Sequence, residues 1–253
     1  MKLIQSLLLF LMLTLSTSLS AQDDAPFIPD RPGALNSPDI LPKYRLQLET
    51  GAFYEYSGLE EEAIRTWALN ISTLHFGISD YAELRLDASW LDMAIDGSHY
   101  RGLANLGFGI KAKLVDGYRF LPTIGLMTNV YVPDKREDSL MPDEWGGLVG
   151  LLFQNPLTSW LSLGYEADLL WQDNSRPTFF WGIGLTAQAT ERLGFIVDQF
   201  NYKFPGVTEC KLGVAVTWLL ARRIQIDAYT DFDLKYPKDY IQVGVGLSWQ
   251  ITK

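Results

Sequence analysis

The sequence predicts an all-β fold, a closed antiparallel transmembrane β-barrel of about 12 strands with both termini on the periplasmic side. The clearest observation is the last stretch of the chain, in which every second residue is apolar. Its apolar residues are Ile241, Val243, Val245, Leu247, Trp249 and Ile251, and polar residues or glycines stand between them. The same two-residue period recurs along the chain behind an N-terminal segment typical of secretory signals. A strand with one apolar face in a secreted chain indicates a bacterial outer membrane.

Residues 1–21 are expected to be a signal peptide that is removed on export. They carry Lys2, an apolar run from Leu7 to Leu15, and small residues that end at Ala21. This run is too short to cross a membrane comfortably, and no later stretch approaches the roughly 20 continuous apolar residues that a transmembrane helix needs. Strands must therefore hold the protein in a membrane.

Composition favours one barrel domain over residues 43–253. Aromatic residues make up 13% of the chain, it contains 21 glycines, and its mean hydropathy is +0.02, which suits a barrel that is apolar outside and polar inside. A soluble secreted β-sandwich shares several of these traits. The net charge of −9 disfavours nucleic acid as a partner, because phosphate binding needs clustered Lys and Arg. Cys210 is the single cysteine, which excludes an intramolecular disulfide.

Residues 22–42 form a proline-rich periplasmic lead segment, called the lead segment below. It contains Pro26, Pro29, Pro32, Pro38 and Pro42, and prolines this close together prevent regular strand pairing. After it, the predicted strands are 44–56, 65–76, 82–91, 103–114, 120–132, 146–153, 160–172, 178–190, 193–203, 208–220, 223–233 and 240–251. The connections alternate between short turns and longer loops, including 92–101 and 133–144, that would face outward.

The alternation also predicts which side chains face the lumen. In the third strand Leu84 and Leu86 oppose Glu83 and Arg85. A charge on the lipid face at mid-membrane costs on the order of 2–4 kcal/mol, so the charged face should point inward. The predicted lumen residues are Arg45, Glu49, Glu83, Arg85, Asp87, Lys111, Lys113, Glu166, Asp168, Asp198, Lys211, Asp227 and Asp231. They either fill the bore as salt bridges or form a constriction that selects small solutes by charge and size.

Aromatic residues near the predicted strand ends are expected at the membrane interface, where their rings are favoured. They are Tyr54, Tyr56, Trp90, Trp171, Tyr229 and Trp249. The same rings would be core residues in a sandwich.

The sequence offers no catalytic, metal or cofactor site. Some outer-membrane barrels hydrolyse lipids with a Ser and a His on the outer wall, but Ser72 lies three residues from His75 and so on the opposite face of a strand. His99 lies in a predicted external loop. Aspartates in the predicted loops have no spacing typical of a calcium loop.

The segment Asp30-Arg31-Pro32-Gly33-Ala34-Leu35-Asn36-Ser37-Pro38, followed by Pro42 and then by Gln47, Glu49 and Gly51, resembles the start of a known family. That family comprises the outer-membrane barrels named for a phenol meta-cleavage pathway protein. In it an Asp-Arg-Pro box precedes a Ser-Pro pair and a strand of pattern Gln-x-Glu-x-Gly. The family box often carries a second acidic residue where this chain has Gly33. The resemblance implies an outer-membrane transporter for hydrophobic or aromatic compounds.

These observations lead to the expectation of a monomeric barrel in contact with outer-membrane lipid, which acts as a passive channel for small solutes of unknown identity. The alternatives are a plugged barrel without transport, either structural or binding a ligand or partner, and an outer-membrane lipid hydrolase. Asp30 and Arg31 are expected to plug the periplasmic mouth, tethered to lumen groups such as Arg45 and Glu49. The alternative for the lead segment is an ordered periplasmic tail.

Overall fold

The computed structural model describes residues 27–58, 64–95, 98–136, 139–172 and 176–252. The expected signal peptide, residues 1–21, lies outside the described residues. Twelve strands form a closed barrel in which every strand pairs antiparallel with its neighbours in the sequence, and β1 closes the barrel against β12. The predicted antiparallel barrel of about 12 strands is therefore confirmed. Within the described part of the chain, no helix is long and apolar enough to cross a membrane.

The strands follow the predicted order. They are β1 Leu46–Ser57, β2 Ile64–Ser79, β3 Ala82–Ile95, β4 Ser98–Val115, β5 Thr123–Tyr131, β6 Gly146–Pro156, β7 Leu161–Trp171, β8 Thr178–Gln188, β9 Leu193–Phe204, β10 Val207–Ala221, β11 Ile224–Asp233 and β12 Tyr240–Gln250. We call the barrel end where β1 begins and β12 ends the terminal end, and the opposite end the loop end.

The predicted loop at 92–101 is wrong, because most of its residues belong to strands. Asp92 pairs with Arg101 and Met93 with Tyr100, so β3 and β4 form a long hairpin beyond the predicted strand ends. Exposed polar residues such as His99 and Arg101 are compatible with a strand pair that extends past a membrane. At the terminal end, the connection 116–122 is longer than predicted because β5 begins at Thr123.

Alternation sets the two faces of the wall. Glu83 is 1% exposed and faces inward, whereas the adjacent Leu84 is 42% exposed on the outside. In β2 a bulge at residues 69–70 interrupts this period. Buried positions are even-numbered before it, as at Ala68, and odd-numbered after it, as at His75. One extra residue thus keeps the polar side inward along the whole strand.

The outer surface carries an apolar band between two belts of aromatic residues. The belt near the terminal end contains the exposed residues Tyr44, Tyr81, Tyr118, Trp160, Trp218 and Trp249. The belt near the loop end contains Trp67, Trp90, Tyr100, Trp145, Trp171 and Phe179. Exposed aliphatic residues such as Leu151, Leu185 and Val245 lie between the two belts. An apolar band flanked by aromatic girdles is the surface that a lipid bilayer stabilises.

Candidate functional site in the barrel lumen

Residues 22–26 of the lead segment lie outside the described residues, and the rest of it, residues 27–42, lies inside the barrel. Its backbone amides donate to carboxylates on the wall: Asp30 N to Glu49 at 2.9 Å, Ala34 N to Asp198 at 2.9 Å, and Leu41 N to Glu83 at 2.7 Å. Prolines keep this segment out of the sheet, so its amides need other acceptors when they are buried. Wall carboxylates supply them, which explains why acidic side chains occupy the lumen at these positions.

The Asp30 side chain is held by two cations of the wall. Arg85 donates to it at 2.7 Å, and Lys111 Nζ lies 2.9 Å from both carboxylate oxygens. Burial by itself would raise the pKa of Asp30, but the positive charges of Lys111 and Arg85 outweigh burial and hold that pKa well below its ordinary value of 3.8. Asp30 is therefore an ionised carboxylate between two buried cations.

Arg31 binds a different part of the wall. Its guanidinium lies 3.2 Å from the Asp227 carboxylate on β11 and over the Tyr229 ring, with 5.8 Å between Cζ and the ring centroid. Its backbone carbonyl accepts from Gln225 at 3.0 Å. Asp30, by contrast, binds β3 and β4. Two adjacent residues of opposite charge thus span the lumen.

Charged wall residues surround the lead segment on two sides. The cations Arg85 and Lys111 on β3 and β4 contact Asp30, and Glu83 lies beside them. The carboxylates on β7, β9 and β11 are Glu166, Asp168, Asp198, Asp227 and Asp231. The lead segment presents the Asp30 carboxylate to the two cations, and the Arg31 guanidinium and backbone amides to carboxylates. Its two charged side chains therefore each lie against wall groups of opposite charge.

Glycines in the wall make room for the lead segment. A Cβ at Gly246 would overlap the Arg31 guanidinium, and one at Gly182 would stand 2.5 Å from a Leu35 methyl group. A Cβ at Gly125 would meet Pro38 at 3.0 Å. Because each glycine faces a different residue of the lead segment, the wall is shaped to that segment along its course.

Most predicted lumen residues lie inside the barrel. Those buried there are Arg45, Glu49, Glu83, Arg85, Lys111, Glu166, Asp168, Asp198, Lys211, Asp227 and Asp231. Asp87 is half-buried and accepts from Asn129 at 2.6 Å. Lys113 lies apart from this group near the terminal end, where it pairs with Asp116 at 2.7 Å. Lys113 stands close to the end of β4, so its side chain lies at the rim rather than at the lumen centre.

Asp30 and Arg31 lie deeper than the sequence led us to expect. Arg31 approaches Val245 O and Gly246, which stand in the middle of β12, rather than the mouth of the barrel. Glu49 was expected to hold these two residues, and its carboxylate accepts hydrogen bonds from the backbone amides of Asp30 and Arg31. The proline spacing predicted an extended segment, but only the fold shows how far it enters.

Further polar residues lie in the lumen beside the predicted ones. Gln47, His75 and Gln225 are buried there, on the faces to which the alternation assigns the charged residues. Tyr229, expected at the membrane interface, instead lies in the lumen against Arg31. Tyr229 shares its face of β11 with Asp227, so the two-residue alternation places it in the lumen and contradicts the expected position at the membrane interface.

His75 is 2% exposed and joins the network that holds the lead segment. Its Nδ1 lies 2.9 Å from Glu83, and its Nε2 lies 3.5 Å from Glu49. Oxygen and nitrogen atoms of Asp30, His75 and Glu83 lie within 4.8 Å of one another, a spacing that could hold a metal ion. Lys111 Nζ, however, already contacts Asp30 and lies 3.5 Å from Glu83. The ammonium therefore supplies the positive charge of this cluster.

Two cavities, each of about 390 Å³, adjoin the lead segment on opposite sides. The loop-end cavity is lined by residues of the loop-end halves of the strands, among them Glu55, Tyr202 and Asp231. The terminal-end cavity is lined by Gln154, Ser162 and their neighbours. Arg31 and Pro32 line both, so this part of the lead segment separates one cavity from the other.

The sequence matches no protein-family model and no curated protein. The structure is similar to solved outer-membrane barrels. An outer membrane channel from Pseudomonas putida F1 has a TM-score of 0.65 and 10% identity over 87% of this chain and 99% of that chain. The NanC porin has a TM-score of 0.54 and 8% identity over 80% and 98%. The KdgM porin in complex with oligogalacturonate has a TM-score of 0.53 and 8% identity over 79% and 98%. At such identities these likenesses establish the fold.

Proposed function

We propose that this chain is a passive channel for small solutes in the outer membrane of a Gram-negative bacterium, reached after removal of its signal peptide. The observation that carries the proposal is the pair of cavities on opposite sides of the lead segment, inside a closed barrel with a polar lumen. The likeness to an outer membrane channel and to porins supports it. The lumen residues named above form the solute path, and both termini lie on the periplasmic side.

The lead segment is the plug of this channel. Asp30 and Arg31 anchor it to opposite sides of the wall, and Arg31 and Pro32 stand between the two cavities. Passage from one cavity to the other requires this stretch to shift or leave. Hydrophobic or aromatic solutes remain an expectation of the sequence resemblance, which is consistent with the aromatic lining of the loop-end cavity.

Solute uptake into liposomes tests the channel. The refolded protein and a variant lacking residues 22–41 would be compared for sugars, amino acids and phenol, against protein-free vesicles. We expect size-limited uptake that is faster in the deletion variant. A folded deletion variant with unchanged uptake would reject the plug, and uptake by neither protein would reject the channel. Light scattering of the protein in detergent would test the proposed monomer.

A closed barrel that binds solute without passing it is the second candidate. It is favoured by the number of contacts that hold the lead segment, from Asp30 to Leu41. A lipid hydrolase finds no such support, because His75 is buried in the lumen and cannot reach a substrate on the outer wall.

A further inference from the structure

The loop-end cavity has a lining that suits one class of solute. Three tyrosine rings, those of Tyr202, Tyr229 and Tyr240, face it together with the carboxylates of Glu55 and Asp231. Aromatic faces attract cations through the quadrupole of the ring, and carboxylates supply the opposite charge. The combination of the two is typical of sites for organic ammonium groups.

The cavity already holds one ammonium group, that of the protein itself. Lys211 Nζ lies 3.6 Å from the centroid of the Tyr240 ring and 5.5 Å from that of Tyr202. It pairs with Glu209 at 3.0 Å. The geometry of these rings therefore accommodates a cation at van der Waals distance, and Lys211 shows where a solute ammonium would be favoured.

Carboxylates in and behind the cavity exceed the cations that could neutralise them. Lys211 is paired with Glu209, and Arg31 with Asp227. Within the described residues neither Asp231 nor Glu55 forms an ion pair. An anionic solute would meet this excess unfavourably, whereas a cationic one would neutralise it.

A second, independent observation comes from Asp198, which is 2% exposed. Its Oδ2 accepts from Ala34 N, but its buried Oδ1 has no hydrogen-bond partner. That Oδ1 and Asp231 Oδ1 both lie against the point where a Cβ of Gly213 would stand. Asp198 lines the terminal-end cavity, but its Oδ1 is directed towards Asp231, which lines the loop-end cavity. Two carboxylate oxygens thus converge over Gly213 behind the loop-end cavity, and one of them lacks the donor that a buried oxygen requires.

We propose that the loop-end cavity binds small organic ammonium ions, with the charged nitrogen near Asp231, behind which Asp198 lies, and the organic part against the tyrosine rings. A volume of about 390 Å³ lies within the range of small-molecule sites. The inference deepens the proposed function, on which it rests, because it names the class of solute that the channel selects. The KdgM porin, in contrast, is solved in complex with oligogalacturonate, which is a polyanion.

Calorimetry in an uncharged detergent at mildly alkaline pH tests this site with three probes of one skeleton: 2-phenylethylamine, 2-phenylethanol and phenylacetate. We expect the amine to bind at least about tenfold more tightly than the alcohol, the ratio that one charge-assisted contact produces. Phenylacetate should bind most weakly. Equal affinities of the amine and the alcohol would overturn the proposal.

Variants separate the site from general effects of charge. Asp231→Asn should weaken amine binding about tenfold. Lys211→Met should strengthen it, because the variant removes the competing ammonium. Asp116→Asn is the matched control, since its side chain is 67% exposed at the terminal end, and it should bind like the parent protein. Amine binding that is unchanged by Asp231→Asn, or lost in Lys211→Met, would overturn the proposal.

Parallel liposome assays distinguish this failure from failure of the channel. Uptake of neutral sugars with no preference for the amine in calorimetry would reject the ammonium site and keep the channel. Amine binding without uptake of any solute would keep the site and reject the channel.

Discussion

Lys111 donates to both carboxylate oxygens of Asp30, at 2.9 Å each, and this pair joins the lead segment to the barrel wall. Arg85 donates to the same carboxylate at 2.7 Å. Charges buried in a protein are stable only when they are paired, because an uncompensated buried charge loses its hydration without replacement. The wall cations and the lead segment therefore depend on each other.

Asp30→Asn should destabilise the folded barrel, since it leaves Lys111 and Arg85 buried beside a neutral side chain. Breaking a buried pair in this way costs about 3–5 kcal/mol. Urea unfolding measured by tryptophan fluorescence checks the value. Asp39→Asn is the matched control, because Asp39 belongs to the same segment but forms hydrogen bonds with Ser37. Equal loss of stability in both variants would contradict the role of Asp30.

The stability that Asp30 supplies should depend on pH in one direction. Its pKa is lowered from 3.8, so the ionised form is favoured in the folded state and its contribution is fully present above pH 3.8. The contribution is lost only as the pH falls through the lower folded value. The difference in unfolding free energy between the parent and Asp30→Asn should therefore stay constant from neutral pH down to about 4 and shrink below it. A difference that shrinks already above that pH would contradict the pairing.

Gly182→Val should displace the lead segment, because even a Cβ at this position would stand 2.5 Å from a methyl group of Leu35. We expect faster solute uptake into liposomes and faster proteolysis of the lead segment. Gly102→Val is the control, since a Cβ there meets nothing within 4 Å. If both variants behave like the parent protein, the wall glycines are not a seat for this segment.

Val245→Arg should impair insertion into bilayers. Val245 is 57% exposed in the middle of β12, on the apolar band, and Arg at mid-membrane costs on the order of 2–4 kcal/mol. Gln242→Arg places the same charge on the opposite face of β12, in the loop-end cavity, and should insert normally. Folding yield into lipid vesicles, followed by the shift in gel mobility, compares them. Normal insertion of Val245→Arg would mean that this face does not meet lipid.

Many features of the barrel can be predicted from the sequence because they depend on local period. The two-residue alternation assigns Glu83 and Arg85 to one face and Leu84 and Leu86 to the other, and the structure has the same faces. Prolines in the lead segment predict that it stays out of the sheet. The bulge of β2, by contrast, interrupts the period, and the alternation did not predict its position.

The tertiary structure decides how distant residues meet. The contact of Asp30 with Lys111 links residues that are far apart in the chain, and no local pattern predicts the register that brings them together. The course of the lead segment depends on wall glycines from several strands, whose positions become one surface only when β1 pairs with β12. Strand period is a property of neighbouring residues, so the sequence by itself determined the wall and its two faces. The contents of the lumen depend on barrel closure, which sums contacts over the whole chain, so only the folded structure placed the lead segment between two cavities.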